Sequence, residues 1–194
     1  MNCIQLAWHK NEAELRAWLS DILAAGSLWC DGVLLVAAAA AVPGSAIREI
    51  AELAEALSPS RERHLETMAQ GSAFLLAVTA GWPELGTAVV AALGTNAAHP
   101  VAVGAVLAQD GIPVADGLAA YLNAVVAGLV GAAMRLVPLG QEDGLRTLAA
   151  LQPLILATAG RAARSTLDDL GSATILSDIQ SMRHEHLYSR IFRS

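Results

Sequence analysis

Aromatic residues, cysteine and lysine are scarce in this 194-residue chain, and each shortage excludes a class of protein. Phe and Tyr occur twice each, whereas 40 residues are alanine. Because alanine favours helices and strands favour β-branched and aromatic residues, a β-sandwich or barrel is excluded. Cys3 and Cys30 are too few and too far apart for a disulfide framework or a thiolate metal site. We therefore expect reduced thiols in a cytosolic, helical protein.

Lysine is so scarce that Lys10 is the only one, and the other eleven cationic side chains are arginine. Arginine forms bidentate ion pairs and is common at protein contacts. The net charge of −6 excludes the basic surface of a nucleic-acid-binding protein. Hydrophobic residues make up 55% of the chain and the mean hydropathy is +0.48, so intrinsic disorder is also excluded. The N-terminal residues 1–11 lack the apolar core of a secretory signal.

Catalytic motifs are absent from the sequence. No glycine precedes a lysine, which excludes a Walker-type phosphate loop, and the Gly-x-Ser-x-Gly motif does not occur. His184 and His186 are two residues apart, so a helix would point their imidazoles in different directions, whereas a zinc-binding helix spaces them by four. Adjacent acids such as Asp168 and Asp169 are typical of a turn. We predict no metal site and no enzymatic activity, with a helical metal enzyme around His184 and His186 as an alternative.

Apolar spacing and helix-capping signals predict an all-α fold, with about eight to ten helices in a single compact domain. Asn11 and Glu14 indicate the start of the first helix. Ser58 before Pro59 indicates another helix start, with serine as the N-cap and proline at the first helical position.

The second half of the chain is dominated by two long predicted helices. Small residues recur along Val114–Val137, and since small side chains let helices approach closely, we expect this helix to be central. Gln141–Arg164 is also helical, and Pro153 either kinks this helix or divides it. A last helix is predicted to begin at Ser172 or Thr174.

Two apolar stretches, Val33–Val42 and Leu118–Met134, are candidates for membrane spans. The first is rich in Ala and the second in Ala and Gly, and the second falls short of the ~20 residues that cross a bilayer. Arg135 follows it without an aromatic belt. We therefore predict helices buried in protein and no membrane contact, with a membrane-associated helical protein as the alternative.

The C-terminal segment 181–194 differs in charge from the rest of the chain. It carries three Arg and one Glu, whereas the preceding residues are strongly acidic, and it contains Tyr188 and Phe192. Arginine and aromatic residues are enriched in the hot spots of protein interfaces. We therefore divide the chain into a body, residues 1–180, and an interaction tail, residues 181–194. The alternatives are a frayed helix end and a segment folded onto its own acidic body.

Several blocks of the sequence resemble one known family. Ser181–Glu185 and Tyr188–Ser194 closely resemble the end of the urease accessory protein UreF family. Arg135–Gln141 is similar to the family's central signature, Asp168–Ala173 to the segment before its last helix, and His99–Gly104 to another of its blocks. The blocks occur in the right order, and the resemblance covers most of the chain from about residue 12.

The resemblance implies a UreF-like, all-α cytoplasmic protein without catalytic activity of its own. UreF-like proteins dimerise and bind the accessory protein UreD, called UreH in some species, and this pair recruits the GTPase UreG. The complex loads nickel into the urease apoprotein, so the resemblance implies nickel as cargo and no tightly bound cofactor. The family is also described as modulating GTP hydrolysis by UreG and as lining a path for nickel.

The resemblance directs attention to two groups of residues. As contacts to partner proteins we predict the tail residues Arg183, His184, Glu185, Tyr188, Arg190, Phe192, Arg193 and Ser194. Either an interface or a structural clasp around a turn is predicted for Arg135, Pro138, Gly140 and Gln141. UreF-like chains usually begin with a Pro-Val-Gly stretch that this sequence lacks, so we expect the chain to start inside the family's first helix.

Overall fold

The computed structural model describes residues 11–41 and 46–174, and all regular elements within these ranges are helical. The all-α prediction is confirmed for this part of the chain. The α-helices, numbered in chain order, are α1 (Glu12–Ala25), α2 (Ser27–Ala40), α3 (Ala46–Ala56), α4 (Arg61–Gly81), α5 (Pro83–Leu93), α6 (His99–Gln109), α7 (Val114–Leu136) and α8 (Gln141–Ala162). A short 3-10 turn follows at Leu167–Asp169.

The predicted count of eight to ten helices is slightly too high for the described residues. Gly26 alone separates α1 from α2, so these two form one broken unit, and the described chain then contains seven helical units. Helix α8 continues through Pro153 without dividing. Residues 171–174 are not helical, and the predicted last helix lies beyond them, outside the described residues.

Side-chain caps determine where two of the helices begin. At the start of α1, Asn11 Oδ1 accepts a hydrogen bond from the backbone N–H of Glu14 at 3.0 Å, as the sequence predicts. The prediction of Ser58 as the cap of α4 is wrong, because Ser60 Oγ accepts from the backbone N–H of Arg63 at 3.2 Å. Both serines satisfy the local rule, and the serine that caps the helix is the one that the fold buries.

Two hydrophobic cores share helix α2. The first core joins α2 to α1, α7 and α8 and includes Leu19 and Ile155. The second core joins α2 to α3, α4, α5 and α6 and includes Leu34 and Val101. The central helix is therefore α2. The expectation that the long helix α7 is central is wrong, because α7 buries one face in the first core and leaves its opposite face open.

Helices α2 and α6 meet at backbone distance at Gly104. A Cβ atom at this position would lie 2.3 Å from the carbonyl oxygen of Leu35 and 3.0 Å from the Cβ of Ala38. Only a hydrogen atom fits there, so the close approach of the two backbones requires glycine. The contact fixes α6, which forms one wall of a cavity between α4, α6 and α7.

Two helical segments are long and apolar enough to cross a membrane by length and composition. They are Glu12–Ala40, which contains the break at Gly26, and Val114–Leu136. Their most apolar windows bury 56% and 44% of their residues against other helices. Core helices of folded domains pass the same test, so these two segments are weak evidence for a membrane span.

Candidate functional site

The predicted partner contacts of the tail, from Arg183 to Ser194, lie outside the described residues. The structure does describe residues that precede this tail in the chain. Asp169 ends the 3-10 turn, and residues 170–174 run without helix past the junction of α1 and α2; we call residues 169–174 the exit segment.

Hydrogen bonds hold the exit segment against the body. The Nε1–H group of Trp29 donates to the carbonyl oxygen of Asp169 at 3.0 Å. The backbone N–H of Ala173 donates to the carbonyl oxygen of Ala25 at 2.7 Å. These bonds connect α1 and α2 to residues about 140 positions later in the chain, so sequence proximity does not predict them.

Trp29 is itself held in place by a cation. The guanidinium carbon of Arg161 lies 4.1 Å from the centroid of the Trp29 ring, within the range of a cation–π contact. Arg161 also donates a hydrogen bond to the carbonyl oxygen of Ala24. The sequence did not point to Trp29 or Arg161 as site residues. Aromatic residues are scarce in this chain, and that scarcity was the only feature that could have drawn attention to Trp29.

The predicted clasp residues lie around the turn between α7 and α8. Arg135 is exposed near the end of α7 and forms no ion pair or hydrogen bond with another described residue. The backbone N–H of Gly140 donates to Asp143 Oδ2 at 2.8 Å, and its φ of −78° is open to any residue. Pro138 and Gln141 are exposed. Among the described residues the bond from Gly140 to Asp143 is made without Arg135, and the choice between an interface and a clasp stays a prediction.

One side of α7 is open to solvent along most of its length. This α7 face consists of Asp116, Ala120, Ala124, Ala127, Gly128, Gly131 and Arg135, all exposed or half-buried. At 3.6 residues per turn these positions fall within an arc of about 120°. A Cβ atom at Gly128 or Gly131 would have no other atom within 4 Å. The face is therefore a flat strip of small residues with an acid at one end and a cation at the other.

Helix α8 extends this open surface. Leu145 and Leu156 are 67% and 60% exposed, and no charged residue lies between Arg146 and Arg161. The two helices pack side by side, and across their contact Gln152 Nε2 donates a hydrogen bond to Asn123 Oδ1 at 2.6 Å. Leu156 lies within this uncharged stretch and Leu145 at its edge, and exposed leucines of this kind are typical of a protein interface.

A cavity of about 760 Å³ lies between α4, α6 and α7, and we call it the acidic groove; its lining includes Asp116, Ala120, Ala124 and Gly128 of the α7 face. Arg63 lies 3.9 Å from Asp31 Oδ2 and 3.3 Å from Glu66 Oε2, so two carboxylates share one guanidinium. The hydroxyl of Tyr121 donates to Asp31 Oδ2 at 3.2 Å. The exposed side of the lining includes Asp116. The groove therefore has an excess of negative charge.

Aromatic rings form part of the groove's wall. The ring of His99 lies 5.7 Å from that of Phe74 and 5.3 Å from that of Tyr121, between centroids. Burial lowers the pKa of His99, so this imidazole is neutral at pH 7. Burial raises the pKa of Asp31, and Arg63 together with the Tyr121 hydrogen bond offsets part of that rise.

The described residues offer no ready metal centre. No group of three or more His, Cys, Asp or Glu side chains in residues 11–41 and 46–174 is placed to hold a metal ion. The alternative site around His184 and His186 lies outside these residues. Nickel as cargo stays a prediction.

Comparison with known proteins gives consistent results. The family model UreF matches residues 9–152 of this chain. A protein named urease accessory protein UreF from Rhodopseudomonas palustris (strain BisB5) is 51% identical over 184 residues, which cover 93% of this chain and 76% of that protein. A protein of the same name from Bradyrhizobium diazoefficiens is 50% identical over 186 residues, with coverage of 94% and 77%. The chain therefore belongs to the UreF family of urease accessory proteins, a family without enzymatic activity.

Proposed function

We propose that this chain is a cytoplasmic scaffold that helps to load nickel into the urease apoprotein. In this proposal it binds UreD (UreH), and the pair recruits the GTPase UreG. Membership of the UreF family supports a role in urease maturation through contacts with other maturation factors. The acidic, mostly helical body supports a binding role rather than a catalytic one.

The tail is the proposed anchor for UreD and UreG. The single observation that carries this proposal is the composition of the tail, which has three arginines and two of the chain's aromatic rings next to an acidic body. The exit segment, which precedes the tail in the chain, is hydrogen-bonded to α1 and α2. A cationic, aromatic segment suits a contact with another protein.

The anchor is tested in the full chain with the variant Arg190→Ala/Phe192→Ala. Because arginine and aromatic hot spots each contribute about 2 kcal/mol or more, we expect binding to UreD or UreG to weaken at least about tenfold. The control is Arg164→Ala, which removes an exposed arginine of the body. Affinities come from isothermal titration calorimetry, and circular dichroism verifies the fold. Unchanged binding of the double variant, or an equal loss in the control, contradicts the tail as anchor.

We further propose that the chain modulates GTP hydrolysis by UreG and handles nickel only as cargo of the complex. Support comes from membership of the UreF family of urease accessory proteins. Hydrolysis rates of UreG are measured with and without the chain and UreD, and equilibrium dialysis with nickel is run on the chain alone. A hydrolysis rate that does not respond, or tight nickel binding by the isolated chain, contradicts this part.

The chain is also proposed to form a homodimer through the open surface of α7 and α8. Support comes from the exposed leucines of α8 and from the small residues of the α7 face, which let a second helix approach closely. Sedimentation equilibrium is expected to give about twice the chain mass of 20.1 kDa. Recovery without detergent is expected at the same time, and a detergent requirement favours the membrane-associated alternative.

A further inference from the structure

Most residues of the α7 face are arranged in pairs about one point near the middle of the helix. Its midpoint lies between Val125 and Val126, and six of its seven residues form three pairs at equal distances on either side, whereas Gly128 has Asn123 as its counterpart. The matched pairs are Asp116 with Arg135, Ala120 with Gly131, and Ala124 with Ala127. An antiparallel second copy of α7 would therefore place each member of a pair opposite the other.

Within one chain the acid and the cation of this face cannot meet. Asp116 and Arg135 are 19 positions apart, which at 1.5 Å per residue separates them by about 28 Å. In a twofold dimer the same patch contacts itself, so each residue contacts its counterpart reciprocally. Small side chains in the middle of the face allow an interaxial distance of about 8 Å, which brings the helix ends within reach of long side chains.

Asp116 lies where the α7 face meets the acidic groove. Behind it, Asp31 and Glu66 share the single guanidinium of Arg63, so the groove has three carboxylates and one cation. The ring of Tyr121 forms part of the same lining. A guanidinium suits this setting because it pairs with carboxylates through a planar fork and stacks on aromatic rings.

We propose that Arg135 of a second copy of this chain enters the acidic groove and pairs with Asp116. The inference rests on the proposed homodimer and specifies its contact: two antiparallel α7 helices, with the acidic groove of each copy completed by the arginine of the other. It gives Arg135 the partner that it lacks among the described residues of its own chain.

The test exchanges the two charges in the full chain. Asp116→Arg alone places arginine against arginine at both ends of the interface, and Arg135→Asp alone places acid against acid. We expect each single variant to raise the dimer Kd about tenfold or more, since opposed like charges are strongly unfavourable. The double variant Asp116→Arg/Arg135→Asp restores opposite charges and is expected to return to within about threefold of the original Kd. An equimolar mixture of the two single variants is expected to form a heterodimer, because each arginine of one variant then faces an acid of the other.

Matched controls change the same charges away from the α7 face. Asp110→Arg and Arg164→Asp alter exposed residues outside it and are expected to leave the dimer Kd unchanged. Sedimentation velocity gives the Kd, and circular dichroism verifies the fold. A dimeric original chain whose single variants dimerise equally well overturns this inference and leaves the homodimer proposal standing. Failure of the double variant to recover also overturns it, whereas a monomeric original chain refutes the homodimer itself.

Discussion

Replacing Gly104 with alanine adds one methyl group where α2 and α6 are in backbone contact. The new Cβ would lie 2.3 Å from the carbonyl oxygen of Leu35, a backbone atom that cannot rotate away. The helices must separate, and such overpacking lowers the free energy of unfolding by about 1–3 kcal/mol. Because 1 kcal/mol corresponds to about 2–4 °C in a chain of this size, we expect Tm to fall by roughly 2–12 °C.

The control for this prediction is the same substitution at Gly160 in α8. There the nearest atom to an added Cβ is Arg164 Nη1 at 3.9 Å, which is an ordinary contact. Alanine also favours the helix by roughly 0.5–1 kcal/mol over glycine, so Tm is expected to rise by about 1–4 °C. Thermal melts followed by circular dichroism measure both variants. If Gly104→Ala melts at or above the original chain, the close approach of α2 and α6 is refuted.

Three further predictions concern a pH dependence, a buried hydroxyl and the exit segment. Burial lowers the pKa of His99 below its usual 6.5. The stability that the neutral His99 side chain contributes is therefore complete above pH 6.5 and is lost as pH falls below that value. In urea melts at pH 7.5 and 5.5, His99→Gln is therefore expected to lose less stability on acidification than the original chain. Thr147 Oγ1 is buried without a hydrogen-bond partner among the described residues, so Thr147→Val is expected to raise the free energy of unfolding by about 1 kcal/mol in the same melts. Trp29→Phe removes the bond to the exit segment, which is worth about 1 kcal/mol, so the Ala173 amide is expected to exchange with deuterium about fivefold faster.

Each of these predictions has an outcome that contradicts it. An equal or greater acid loss in the His99 variant excludes the lowered pKa as a source of the pH dependence; the raised pKa of Asp31 is common to both proteins and cancels. A valine at position 147 that destabilises the chain means that the hydroxyl has a favourable partner. Unchanged exchange at Ala173 means that Trp29 does not hold the exit segment.

Local signals predicted most of the helices because they depend on neighbours in the sequence. Asn11 caps α1 as expected, since a cap and the amide that it accepts from are only three residues apart. The same rule selected Ser58 for α4, where the structure uses Ser60. The proline after Ser58 favours the wrong serine locally, and the burial of Ser60 is visible only in the fold.

The candidate sites were harder to predict because they join distant parts of the chain. Trp29 and Asp169 meet across about 140 residues, and Tyr121 reaches Asp31 across 90. Arg135 was identified from the sequence through its block, but only the fold shows that no residue in 11–41 or 46–174 pairs with it. Apolar periodicity marks which side of a helix is buried and does not tell which other helix covers it.

Composition and spacing alone determined that this chain is helical, and its blocks determined the UreF resemblance, since both properties are written in consecutive residues. The tertiary structure decided that α2 rather than α7 lies at the centre, and that α7 keeps an open strip of small residues beside the acidic groove. The physical reason is that burial is shared among several helices at once. Which face stays open depends on how all of them fit together, at contacts as close as Gly104 against Leu35.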